Sequence, residues 1–188
     1  AWVADMDYPV APAIAERLRG IIDRNEFGYP NWGRPTLGSP AARLFVPRMA
    51  ERFGWEPDPE RVHDLIDVLQ GVRAAVYHLS SPGDGEVLHL PSYHPFLHTI
   101  RDLDRQLVPV VPVTGREFDY DDLERRLEAE SASVWILCHP HNPLGHVFER
   151  DELERIADIA ARHDIVVISD EIHSDLVYRG PHIPFASL

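Results

Sequence analysis

Three side chains able to meet a ligand by charge or hydrogen bonding, Asp170, Glu171 and His173, emerge together at the end of the apolar run Ile165-Val-Val-Ile168. Consecutive β-branched residues mark a strand covered on both faces, and hence a parallel α/β sheet. In open sheets of that kind ligands collect beyond the carboxyl ends of the strands, so this stretch is the first site candidate. The competing reading is that the acid and the imidazole cap the following turn. Asn142 leaves a second apolar strand, Ser133 to Cys138, in the segment Cys138-His-Pro-His-Asn-Pro-Leu-Gly145. Asn142 and Asp170 are 28 positions apart, and one crossover helix fills that interval. Both residues therefore belong at the same end of the sheet, on successive parallel strands. Gln70-Gly71-Val72-Arg73 reads as a glycine turn that opens a helix after a third strand, where free amides can hold an anion. A lone glycine turn is a weak fingerprint for that role. A fourth strand end carries Tyr93 in Pro91-Ser-Tyr-His-Pro-Phe96, suited to an aromatic contact or to loop packing.

Cys138, His139, His141, His146 and His173 also raise the chemistry of a metal or a thiol. A Cys-x-x-His spacing can bind zinc, but the His-Pro-His alternation lacks a second ligand pair at finger spacing, and no metal is expected. Cys138 ends an apolar strand and reads as an inert core thiol. Most of the 11 histidines read as surface residues.

The elements that must position these residues follow from periodicity. Candidate strands are Val62 to Val68, Glu86 to Leu90, Leu107 to Val111, Ser133 to Cys138 and Ile165 to Ser169. Helices are expected between them at Val72 to Ser80, Phe96 to Leu103, Tyr120 to Glu130 and Arg150 to His163. The last has Leu153, Ile156, Ala157 and Ala160 in one stripe, and Asp119 and Asp122 stand at N-cap and N3 spacing before the third. Strands alternating with helices imply right-handed crossovers. Earlier in the chain residues 1–10 look extended. A helix from Pro12 to Ile22 follows, with Ile14, Leu18, Ile21 and Ile22 on one face, then a Pro/Gly-rich loop at 27–40 and a helix from Ala41 to Phe53. The run Glu56-Pro-Asp-Pro-Glu60 marks a boundary, dividing the chain into 1–58 and 59–188.

A net charge of −13 and a pI near 5.2 argue against a nucleic-acid or anionic-membrane surface, which needs clustered positive charge. No run of about 18 apolar residues exists to span a membrane. The single cysteine excludes an internal disulfide and fits a reducing, cytoplasmic compartment. All 18 basic residues are arginine, and lysine is absent.

Several of these stretches carry a family resemblance. Trp2-Val-Ala-Asp-Met-Asp-Tyr-Pro9, Phe27-Gly-Tyr29, Pro82-Gly-Asp84, Pro140-His-Asn-Pro143, and Ser169-Asp-Glu-Ile-His173 continuing to Pro184-Phe-Ala-Ser-Leu188 occur in order along the whole chain. Together they resemble the fold-type I pyridoxal-phosphate enzymes of the class I/II aminotransferase superfamily, most closely the cystathionine β-lyase (MalY/PatB-type C–S lyase) branch. The resemblance implies a three-layer α/β/α PLP-dependent transferase fold. Residues 59–188 would form an incomplete large domain with a mostly parallel sheet, and residues 1–58 an N-terminal arm and helical part of the small domain. It also assigns roles. Asp170 matches the carboxylate that pairs with the pyridine nitrogen of pyridoxal 5'-phosphate, and Asn142 the amide that meets its phenolic oxygen. His173 stands where many aminotransferases have a tyrosine, Tyr93 matches the aromatic on the pyridine face, and Gly71, Val72 and Arg73 match the phosphate turn. Tyr29 matches a residue that reaches the neighbouring subunit's phosphate, which implies a homodimer. Leu144 stands where threonine is common, Gln70 where proline is common, Cys138-His139 replaces the usual pair, and the 31–40 loop fits poorly. These departures bear on substrate preference.

Lysine is the deepest departure, because the family holds its cofactor as a Schiff base on a lysine that shuttles protons. In relatives that lysine falls beyond the stretch matching Pro184 to Leu188, as does the arginine for the substrate carboxylate. The chain, which starts without methionine and ends without a cap, is thus expected to be part of one about twice as long. Two sheet strands are expected in the remainder, between Ile165–Ser169 and Val62–Val68. The implied activity is α,β-elimination on cystathionine or a related sulfur amino acid, giving a thiol, ammonia and pyruvate. Aminotransfer is the alternative, and a non-catalytic binding module the second.

Overall fold

The computed structural model of the chain describes residues 5, 7–29, 39–115 and 117–188; residues 1–4 and 6 of the expected extended opening and 30–38 of the 27–40 loop lie outside them. Two helices come first, α1 (Pro12–Asp23) and α2 (Ala42–Phe53). Pro12 sits at the start of α1, where a missing N–H costs nothing. The stripe of α1 meets no core among the described residues: Ile14 and Leu18 are each 53% exposed. Helix α2 stops at Gly54, whose left-handed φ of 67° a residue with a Cβ adopts only at a cost.

The α/β part follows as α3 (Val68–Leu79), β1 (Gly85–His89), α4 (His94–Asp102), β2 (Gln106–Val110), β3 (Pro112–Thr114), β4 (Glu117–Phe118), α5 (Tyr120–Leu127), β5 (Ala132–Cys138), α6 (Arg150–Arg162) and β6 (Val166–Asp170). Four strands pair in parallel in the order β2-β1-β5-β6, and β3 and β4 form a small antiparallel pair. The inner strand β5 is apolar on both sides because both of its sides are covered. From β5, Val134, Ile136 and Cys138 pack with Val72 and Val76 of α3 and Phe96 and Ile100 of α4. The alternate residues Trp135 and Leu137 pack with Leu123 of α5 and Leu153, Ile156 and Ile159 of α6. Helices on both faces of one sheet make the expected three layers. Asp119 Oδ1 accepts the Asp122 N–H at 2.8 Å, as the spacing predicts, and α6 carries a reciprocal capping box between Glu149 and Glu152.

One expected strand is corrected. Val62 to Val68 forms no strand; the segment runs on irregularly and α3 begins at Val68, four residues before the expected start. The local chemistry explains it, since Asp67 Oδ1 accepts the Gln70 N–H at 2.7 Å and Gln70 Oε1 accepts the Ile66 N–H at 3.0 Å. Those bonds start a helix, and Ile66, 90% exposed, has no sheet neighbour among the described residues to reward extension.

Candidate active site

The ladder between β5 and β6 ends where Cys138 faces Asp170. One further bond, from the His139 N–H to the Asp170 carbonyl at 2.9 Å, ties the strand ends together. The Asp170 side chain is buried, and its Oδ1 accepts the Ile172 N–H at 3.1 Å. Burial holds this carboxyl above the usual carboxylate range, against the Ile172 bond and the nearby His173. Across the strand gap, burial pushes the Cys138 thiol up to about 11; the backbone N–H of Asn142 opposes that shift and the Asp170 charge adds to it. Asn142 and Asp170 thus flank one sulfur, as their places on successive strands predict. Asn142 opens a turn closed by the Gly145 N–H on the His141 carbonyl at 2.7 Å, with Gly145 at φ 60°. His173, half-buried, follows three residues after Asp170.

Tyr93 caps α4 beyond β1, with its ring edge-on to Phe96 at 5.6 Å. It packs against the same core cluster as Cys138, and so do Leu69 and Val72, which bring the first turns of α3 to this end of the sheet. The predicted anion turn is altered in detail. Gly71, Val72 and Arg73 lie fourth to sixth in α3, so the amides free at its N-terminus precede them, and Asp67 already engages that of Gln70. The Arg73 guanidinium lies 3.7 Å from the Asp102 carboxylate. Tyr29 is 99% exposed and stands apart from these residues.

Seven of the 11 histidines are exposed or part-buried, as expected, and four are not. His89, His139, His141 and His182 are buried, forming with Phe118, Tyr120, Trp135 and Phe148 an aromatic layer under the Asn142 loop. Burial is the leading cause that lowers His139 and His141 to about 4 each and holds His89 well below its ordinary value. These imidazoles are neutral at physiological pH. Among the described residues no group of three or more histidine, cysteine or acidic side chains is placed to hold a metal ion.

Sequence reasoning left one residue without a role. Glu171 accepts from His182 Nε2 at 2.7 Å on one oxygen, and from Ser169 Oγ and the Phe185 N–H at 2.8 Å each on the other. Burial raises this carboxyl, but those bonds together outweigh it and leave it lowered. Nothing periodic links positions 171, 182 and 185, so only the juxtaposition of Glu171 with Asp170 hinted at it.

Comparison with known proteins places the chain. Residues 66–187 match the family described as Aminotransferase class I and II. The chain is 35% identical to a cystathionine β-lyase of Corynebacterium glutamicum, over all of its own length and 48% of that protein. It is 36% identical to cystathionine β-lyase PatB of Bacillus subtilis, again over all of this chain and 48% of the relative. The crystal structure of the PLP-bound C–S lyase from Staphylococcus hominis superposes with a TM-score of 0.89 at 28% identity, over 98% of this chain and 47% of that one. The chain spans about half the length of the curated relatives it matches.

Proposed function

The chain belongs to the class I and II aminotransferase family, and from that premise we propose that it is the cofactor-holding half of a pyridoxal-phosphate-dependent C–S β-lyase. The substrate would be cystathionine or a related sulfur amino acid, cleaved by α,β-elimination to a thiol, ammonia and pyruvate. The observation that carries the reading is the Asp170 carboxylate. It is buried at the end of β6 with only Oδ1 engaged among the described residues, beside the Asn142 turn across Cys138. A carboxylate raised by burial gains from an opposite charge, and a protonated pyridine nitrogen supplies one. The residues present therefore fit the cofactor, which when bound supplies an electron sink for the carbanion of the substrate.

In this reading each side chain has one task. Asp170 keeps the pyridine nitrogen protonated. The Asn142 amide and His173 hydrogen-bond the phenolic oxygen, and Tyr93 covers a face of the ring. The free amides at the α3 N-terminus, just ahead of Gly71, Val72 and Arg73, hold the phosphate. Tyr29, exposed on this protomer, is free to reach a second copy in a homodimer. The Schiff-base lysine and the arginine for the substrate carboxylate belong to the remaining half, and the parent enzyme is placed in the cytoplasm.

Incubating the full-length protein with cystathionine and assaying pyruvate tests the reading. Pyruvate release proportional to enzyme is expected. A keto-acid-dependent half reaction without pyruvate refutes the lyase and leaves aminotransfer, which the family name supports. A downstream reading frame without lysine leaves the second alternative, a non-catalytic binding module.

A further inference from the structure

Beyond the last rung at Cys138 and Asp170 a single backbone bond, from the His139 N–H to the Asp170 carbonyl, links the strand ends. The two residues that come next, His139 and Glu171, are joined further through a third side chain. His182 donates to Glu171 at 2.7 Å and stacks on the His139 ring, with centroids 4.5 Å apart and planes 28° from parallel. His139 is fully buried, and its Nε2 lies 3.1 Å from the Ile183 carbonyl, so the neutral ring carries its proton on Nε2. Glu171 is fixed in turn by Ser169 and the Phe185 N–H. The far side of His182 meets the ring edge of Phe53, the last residue of α2, at 5.2 Å.

We propose that His182, held by Glu171 and stacked on His139, is a positioning residue that sets the Asn142 turn against Asp170 and so shapes the cofactor pocket. The inference rests on the reading of Asn142 and Asp170 as cofactor contacts. The cluster is a poor way to gain stability alone. It buries Nδ1 of both His139 and His182 with no hydrogen-bond partner among the described residues, where aliphatic side chains would bury nothing polar. A fully packed pair of rings with one fixed acceptor gives orientation instead, and orientation is what two ligand-holding residues on separate strand ends require.

The test compares His139→Leu, His182→Phe and the double variant in the full-length protein. Pyridoxal phosphate is titrated into each apoprotein, and the visible absorption and circular dichroism of the bound cofactor are read. Far-ultraviolet circular dichroism checks the fold. Orienting groups behind metal ligands are worth about ten- to a hundredfold in affinity, and a loss of about tenfold is expected for each single variant, with a changed visible dichroic band. The double variant should bind no more weakly than the weaker single, because both belong to one clasp. Folded variants with wild-type affinity and an unchanged band would overturn the proposal, as would multiplied losses in the double variant. Failure of both single variants to fold would show the cluster to be structural and would equally overturn it. A full-length wild-type protein that binds no pyridoxal phosphate defeats the functional reading itself. One that binds it but releases no pyruvate defeats only the reaction and leaves the positioning test intact.

Discussion

Glu86 offers a sharp test of the structure at the end of the sheet opposite the site. It lies in the fully buried strand β1 with no exposed surface, and neither carboxyl oxygen has a hydrogen-bond partner among the described residues. Burial raises it from 4.5 to about 7; Ser80, nearby but without full hydrogen-bond geometry, and the Arg105 charge oppose this only in part. A carboxyl raised in the folded state contributes stability that is fully present below the unfolded value of 4.5 and is lost as pH rises through about 7. Between about pH 5.5 and about pH 8 the loss from this one group comes to about 2 kcal/mol. Glu86→Gln replaces the protonated acid by a neutral isostere and should remove that dependence. Urea denaturation of the full-length protein and the variant at the two pH values reads it. The advantage of the variant should be small at the lower pH and grow by about 1 M in midpoint at the higher. Parallel pH profiles would show that Glu86 is not sealed from water as described.

The histidine layer acts in the opposite sense. His139 and His141 are lowered to about 4 by burial, so the unfolded chain takes up protons first, and stability falls from about pH 6.5 until about pH 4 is reached. Each contributes at most about 3 kcal/mol to that loss, and His141→Leu should flatten the acid limb of a stability profile. The Cys138 thiol, buried and pushed up to about 11, should resist iodoacetamide or a disulfide reagent at neutral pH until the protein unfolds; stoichiometric labelling of the native state would contradict this. Asp170→Ala should abolish turnover of the full-length enzyme even where cofactor is retained, measured as pyruvate release, whereas near wild-type rates would reduce Asp170 to a loop cap.

What could be read from the chain alone follows the physics of each signal. Apolar strands separated by one strong amphipathic helix leave little freedom, so β5, α6 and β6, and with them the adjacency of Asn142 and Asp170, were legible. Val62 to Val68 misled because its apolar residues suit a strand. The pair Asp67 and Gln70 has the spacing of a helix start, a weaker signal in the sequence than the glycine that follows. The buried histidines were illegible for a different reason. Imidazole is polar enough to read as surface, and only three-dimensional neighbours such as Phe118, Tyr120 and Phe148 show that His89 and His141 sit in an aromatic interior. Glu171 shows the same limit: its partners lie 11 and 14 residues downstream in irregular chain.

The strand order β2-β1-β5-β6 has a consequence for how the protein is made. β1 and β2 can pair as soon as α4 between them has left the ribosome. β5 then adds to the open side of β1, and β6 to the open side of β5, so the sheet widens in one direction without any strand having to insert between two already paired. Vectorial synthesis, at about 5–20 residues per second, thus meets a template that is always waiting. Asp170 comes to rest on the last of these four strands, and until a neighbour covers it the free margin of β6, like that of β2 at the other edge, is open to pairing with another chain.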